Sequence, residues 1–293
     1  MSPRRTRQEQ DPRRSGATQG QRSRGDAVSR PRRHEGVRQD KADGAPRGRP
    51  GHRQDKPDAS PRGRRGVRQD KASAAAPEPP VDVDIATLDR DVRAELRSLS
   101  KPLADLVARH LVAAGTALEN DPALALRHAH AARARAPRLA VVREAVGLTA
   151  YAASEWAEAL TELRTARRIS GDCRNLPVMA DCERALARPA QALRYLSDPD
   201  VRRLDGESRA ELLIVCAGAR RDLGQLSAAL AILGRGGLDS SRPRPGSARL
   251  WYAYGDLLEE LGRRDEAAVW FAASAAVDPE GDLDAADRAA ALL

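Results

Sequence analysis

Aromatic residues are scarce in this chain, eight in 293 residues, which is low for a globular protein. Cysteine is scarce too. Cys173, Cys182 and Cys216 are an odd number and show no CxxC spacing. That argues against a disulfide framework and against a zinc cluster, and it predicts three reduced, partly buried thiols in a cytosolic protein. Long apolar runs are missing: the most apolar stretch, Ala210 to Ala219, is ten residues long and contains Glu211, too short to cross a bilayer. The opening MSPRRTRQEQ carries positive charge with no apolar stretch behind it, so no signal peptide is expected. A cytoplasmic protein without membrane contact is the resulting expectation.

The sharpest absence is regional. From Met1 to Pro80 there is no Leu, Ile, Phe, Trp or Tyr. Such a segment cannot bury enough apolar area to offset the entropy of ordering it, so residues 1–80 are expected to be a disordered tail. Residues 1–76 carry 21 Lys/Arg against 9 Asp/Glu, a net of +12, while the rest of the chain nets −4. The basic character therefore belongs to the tail. Its pattern is a 15-residue repeat, with Gly36, Gly51 and Gly66 opening copies that each contain Arg-Gln-Asp-Lys, at 38–41, 53–56 and 68–71. Fifteen is neither a helical nor a strand period, and Pro and Gly punctuate every copy. The reading is an extended, solvated array. Such an arm could hold RNA or another anionic polymer through phosphate contacts, although it has no interleaved aromatics to stack bases. A purely solubilising tail that grew by duplication is the other reading.

From Asp82 the texture changes to Ala, Leu and charged residues at helical spacing, and residues 81–293 are expected to form one all-α domain. Thr87 reads as the cap of a first helix, with Val92, Leu96 and Leu99 on one face. A second start follows at Ser100-Lys101-Pro102. The stretch Ala248–Gly281 then shows a fixed arrangement. Counting from Ala248, Trp251 falls at place 4, Tyr254 at 7, Gly255 at 8, Leu258 at 11, Gly262 at 15, Ala267 at 20, Phe271 at 24 and Pro279 at 32. Small residues at 8 and 20 let two helices cross closely, and large ones at 4, 7, 11 and 24 fill the space around the crossing. Weaker units start at Leu106, Ala140, Cys173 and Ala210, in steps of 34, 33, 37 and 38 residues. The surplus sits in 197–207 and 234–247, which read as longer loops. Asp282–Leu293 reads as a short capping helix carrying Leu283 and Leu292.

This pattern resembles the tetratricopeptide repeat proteins over about 175 residues. More narrowly, the runs 91–99, 107–112, 177–184 and 217–224 resemble actinobacterial cytoplasmic tetratricopeptide proteins with an Arg-rich, low-complexity N-terminus. The resemblance implies an αα-solenoid of about five helix pairs, with an N-terminal helix and a C-terminal cap. A generic helical bundle is the alternative for the same helices. It also implies protein–protein scaffolding, with no chemistry to carry over.

The residues themselves offer no enzyme template: no phosphate-cradling glycine loop, no Gly-x-Ser-x-Gly and no His-Glu-x-x-His. No cofactor or metal is expected. His128 and His130 are two apart on a helix, point to different sides, and read as part of a basic run.

By resemblance, places 2, 5, 9, 12 and 13 of each first helix line a concave groove. In the first two units these places hold Val107, His110, Ala114, Ala117, Val141, Glu144, Leu148 and Tyr151. Later units add charge, and the partner-binding candidates are Tyr151, Arg174, Asp181, Arg184, Arg221, Arg249, Tyr252 and Asp256. The family's carboxylate clamp is absent, which argues against capture of a chaperone C-terminus. The expected function is a non-enzymatic scaffold holding a partner peptide or protein in the groove. A nucleic-acid- or ribosome-associated factor working through the tail is the alternative. Residues 127–168 hold eight Arg against four Glu, and 255–285 hold nine acidic residues against two Arg. This polarity predicts a monomer with at most weak, salt-sensitive self-association.

Overall fold

The computed structural model describes residues 77–293. The arginine arm within 1–76, with its 15-residue copies and the disorder expected there, lies outside the described residues. Among the described residues every regular element is helical. A 3-10 turn, Ile85–Thr87, precedes α1 (Arg90–Leu96) and α2 (Lys101–Ala117). Then come α3 (Pro122–Arg135), α4 (Ala140–Ala152), α5 (Trp156–Ser170), α6 (Leu176–Ala185) and the single turn α7 (Pro189–Ala192). The chain closes with α8 (Gly206–Asp222), α9 (Leu226–Leu233), α10 (Ser247–Glu260), α11 (Arg264–Ala275) and α12 (Ala285–Leu292). No described helix is long and apolar enough to cross a membrane.

Consecutive helices pack in pairs: α2 on α3, α4 on α5, α6 on α7, α8 on α9 and α10 on α11. Each pair then meets the next, through α3 with α4, α5 with α6, α6 with α8, α8 with α10, and α11 with α12. The apolar interior follows this order as three clusters. One is built around Val107, Leu111 and Val142, one around Leu160, Leu163 and Met179, and one around Leu212, Leu233, Trp251 and Phe271.

The crossings explain the spacing read in the sequence. The alanine at place 20 of each unit, Ala125, Ala159, Ala192, Ala229 and Ala267, is at 0% exposure in all five. Place 8 is small for a related reason, since its neighbour is the large residue at place 24. A Cβ on Gly147 would lie 2.6 Å from Leu163 Cγ, and one on Gly255 would lie 3.0 Å from the Phe271 ring.

The turns inside the pairs repeat as well. Place 15 is left-handed in four units, at Ser154 (φ 61°), Ala187 (φ 58°), Gly224 (φ 70°) and Gly262 (φ 77°). In each, the next residue donates its N–H back to the carbonyl at place 11: Glu155 to Ala150, Arg188 to Glu183, Gln225 to Arg220 and Arg263 to Leu258, at 2.8–2.9 Å. This is a Schellman closure. The sequence showed it only where the residue is glycine.

Four expectations need correction. Thr87 does not cap α1: Asp84 caps the 3-10 turn, and Thr87 Oγ1 donates to the Asp84 carbonyl. The second helix of the third unit is one turn, continued by 3-10 segments at Leu193–Ser197 and Pro199–Arg203. Pro199 forces Asp198 into extended conformation and ends the helical run there. The cap α12 buries Ala285 and Ala289 rather than Leu283 or Leu292, which are half-buried.

The fourth correction concerns the first unit. Val107, His110 and Ala114, expected on the groove, are buried. The α2–α3 connection lacks the left-handed residue, since Leu118 stays right-handed, and it runs four residues, 118–121, against three in each of the other pairs. The first helix of this unit is thereby turned by one place, and His110 occupies the place that Arg143 holds in the next pair. There Arg143 meets buried Glu162, with Nη1 2.8 Å from Oε2. Here His110 Nδ1 lies 3.1 Å from His128 Nδ1, both rings buried. His128 is thus a core residue, not part of a basic surface run. His130 is the exposed member and pairs with Glu158 at 2.9 Å.

Two predictions follow from these turns and this pair. Ala187→Gly relieves a side chain held at positive φ and should stabilise the protein by about 1 kcal/mol, whereas Gly262→Ala should cost about the same. Urea midpoints of the two variants should move in opposite directions. The His110–His128 bond needs a neutral ring to accept, and both pKa values are lowered, first by burial, then by the neighbouring ring and nearby arginines for His110 and by Arg127 for His128. The unfolded chain therefore takes up protons first. Stability is complete above the ordinary value of 6.5 and is lost as pH falls from there through the lowered values of the folded protein. The slope limit is about 1.4 kcal/mol per pH unit per proton. Replacing both rings, His110→Leu with His128→Leu, should flatten the stability profile in that window.

Candidate functional site

The first helices of the pairs, α4, α6, α8 and α10, bring their charged residues together in a chain of contacts that ends on α12. Tyr151 on α4 donates its hydroxyl to Asp181 Oδ2 on α6 at 2.6 Å. Arg184, one turn on, donates to Asp181 Oδ1 at 3.0 Å and reaches across to Asp222 on α8 at 2.9 Å. Arg221, beside Asp222, pairs with Asp256 and Glu260 on α10 at 2.9 and 2.6 Å. Arg288 on α12 completes the series, donating to Asp256 at 3.0 Å, to Glu259 at 2.5 Å and to the Tyr252 hydroxyl at 3.0 Å. Its guanidinium also sits 4.3 Å from the centre of the Phe271 ring.

Each link joins one helix pair to the next, so the charges expected to face a partner are mostly spent on one another. Gly218 makes room for one link: a Cβ there would lie 2.7 Å from Arg184 Cζ. The Tyr151 hydroxyl is held protonated, first by burial and then by its bond to Asp181.

Of the eight candidates, Tyr151, Arg174 and Asp181 line one cleft of about 310 Å³. The cleft is completed by Pro177 and Val178 of α6 and by Asp205, Glu207, Ser208, Glu211 and Val215 at the start of α8. Arg184 adjoins it. Arg221, Tyr252 and Asp256 do not reach it and belong to the cluster around Arg288. Arg249 stands apart, with Nη1 2.9 Å from Glu211 Oε1, an ion contact that lacks hydrogen-bond geometry. Arg174 is held at the rim by Asp172, at 2.5 Å, and Glu144 lies 3.9 Å away.

The electrostatics of the cleft lean acidic. Burial raises the Glu211 pKa, with Arg249 opposing and Asp181 and Glu207 adding to the rise. The Glu207 carboxylate is exposed and makes no hydrogen bond or ion pair among the described residues. Glu207 escapes a sequence reading that starts this helix at Ala210 and places 197–207 in a loop, and Val215 falls at none of the places taken to line the groove. The same reading also misses Arg288 and Asp284, although an arginine within an alanine-rich final helix is a visible signal. Asp284 accepts from the Tyr252 hydroxyl at 2.6 Å.

The expected charge polarity is muted by local pairing. Arg133 and Arg143 share buried Glu162, Arg164 pairs with buried Glu183, and Arg167 clasps Asp198 and Asp200. At the other end, Asp256, Glu259 and Glu260 are matched by Arg221 and Arg288. The three cysteines are all buried and unbridged, with the Cys182 and Cys216 thiols pushed up to about 12 by burial.

If the links act as joints, Arg184→Ala and Gly218→Ala should be redundant, since each displaces the same guanidinium. Their combined cost should fall short of the sum of the single costs by about 0.5–1 kcal/mol, read from urea denaturation. Strict additivity would show that Arg184 spans no joint. Set against models of known families and against curated proteins, the chain finds no match.

Proposed function

We propose that residues 81–293 are an αα-solenoid of tetratricopeptide type acting as a non-enzymatic scaffold, with a partner peptide held on the face formed by its first helices. The repeat reading is supported by the unexposed alanine in all five units and by the left-handed turn in four. The observation that carries the function is the cleft shared by α4, α6 and α8. Along this face the other charges are hydrogen-bonded to one another, whereas here the Glu207 carboxylate has no partner, Glu211 Oε1 meets only Arg249 in an ion contact without hydrogen-bond geometry, and half-buried Val178 and Val215 supply apolar surface. An extended peptide carrying one Arg or Lys beside an apolar residue fits that chemistry. The same pairing elsewhere supports a non-enzymatic role, because it leaves few titratable groups to do acid–base work. A reducing, cytoplasmic setting belongs to this reading and is supported by the unbridged cysteines. The nucleic-acid alternative rests on residues outside the described ones.

The test is selection of a random peptide library on the full chain. Basic–apolar peptides should be enriched, and Glu211→Arg should weaken them about tenfold, equivalent to about 1.4 kcal/mol. Because the Glu211 pKa is raised, a cationic ligand draws it down, so binding should strengthen as the pH rises from acid to neutral and should release a proton. Enrichment of acidic peptides, or indifference to Glu211→Arg, would overturn the proposal.

A further inference from the structure

Helix α1 is sorted by charge. On one side Glu95 Oε2 accepts the Val141 N–H at 3.3 Å and so caps α4, whose own preceding residue, Leu139, offers no side-chain acceptor. Asp91 contributes on the same helix to holding Arg174 charged, after the larger effects of Asp172 and Glu144. The acidic side therefore faces the helix pairs.

The basic side faces a different cleft. Arg90, Arg93 and Arg97 recur at steps of three and four, and Lys101 at the start of α2 extends the row. They rim an open cleft of about 640 Å³ between α1 and α2. Its floor is apolar: Leu96 and Ala108 are buried, and Ile85, Leu99 and Ala104 are half-buried. Asp105 is the one carboxylate in the lining. None of the four cationic side chains makes a hydrogen bond or ion pair with another described residue, in contrast to the paired arginines of the α4–α12 face.

We infer that this cleft is a second docking surface, and that its occupant is an acidic amphipathic helix of a partner protein. The row of cations decides between ligands. From Arg90 to Arg97 it runs about 10 Å along α1, two turns, so it matches carboxylates repeated along a helix rather than the single head group of a fatty acid. The apolar floor decides against a nucleic-acid backbone, which offers phosphates and no apolar stripe. A second copy of the chain presenting this same face would set the two cation rows against each other. A helix with Leu along one stripe and Glu beside it satisfies both floor and rim. The surface lies apart from the α6–α8 cleft and prefers the opposite charge, so it stands whether or not the peptide reading of that cleft does.

The experiment uses the full chain and two fluorescent peptides of identical composition. In the first, Leu and Glu segregate to adjacent helical faces; in the second, the same residues are scrambled. Both feel any general attraction to cations, and only the first can use the floor. The segregated peptide should bind about tenfold more tightly by anisotropy, and Arg93→Glu with Arg97→Glu should erase that difference while melting stays unchanged. Should the double variant melt lower, Lys101→Glu on α2 gives the same reading from the other wall. Equal binding of the two peptides would overturn the proposal. So would a preference that survives the charge reversals, or polyuridylate displacing the segregated peptide as well as it displaces the scrambled one. A concentration-dependent mass that the reversals abolish and the peptide does not compete would assign the cleft to a second copy and overturn it too.

Discussion

The alanine at place 20 is the constraint on which the helix pairs depend. With no exposure at Ala125, Ala159, Ala192, Ala229 or Ala267, each position is filled by a methyl group and has no room for more, so the two backbones of a pair approach as closely as a side chain allows. The large residue at place 24 then has only one direction to fill, toward place 8, where Leu163 meets Gly147 and Phe271 meets Gly255. The left-handed turn at place 15 returns the chain at the angle this crossing needs. Crossing and turn recur together in four pairs. The first pair lacks the turn and shows the consequence, a helix set one place off and a histidine pair where its neighbour has an ion pair.

Charge does a different job. Within a pair the crossing is apolar, with the Arg143–Glu162 ion pair and the His110–His128 bond beside it in two of the pairs, whereas Tyr151, Asp181, Arg184, Arg221, Asp256 and Arg288 join one pair to the next. Exposed ion pairs contribute little singly, about 0–1 kcal/mol. Here they are linked and partly shielded, and each arginine contacts more than one acceptor. Their combined effect is to fix how neighbouring pairs are oriented and to leave two clefts that are not self-satisfied, an acidic one beside α6 and a basic one beside α1.

The helical content, the helix pairs and the alanine positions were legible because they rest on spacing and on residue size, which are local. The turns were legible at Gly224 and Gly262 and hidden at Ser154 and Ala187, where tertiary packing holds a non-glycine residue at positive φ. The one-place rotation of α2 was hidden because it depends on the length of a turn that has no signature residue. Of the candidate residues, Asp181, Arg184, Arg221 and Asp256 lie along one run of contacts, Arg184 on Asp181 and Asp222 and Arg221 on Asp256. What could not be read was that they meet one another, since pairing across 30 to 40 residues of sequence depends on the angle between helix pairs. The basic row of α1 follows helical spacing and was visible in principle, but its cleft exists only once α1 has turned back along α2.

The charged links between neighbouring pairs, laid over an apolar interior that they share, have a thermodynamic consequence. Ionic strength and temperature act on different joints of the same chain. Salt screens the Arg184 and Arg221 links while it leaves the alanine crossings untouched, so it lowers the coupling between neighbouring pairs more than the intrinsic stability of each. Coupling between neighbouring packed units sets how sharply they unfold together. The Arg184 and Arg221 links therefore bear on how adjacent pairs unfold with one another, and the alanine crossings on how each pair holds.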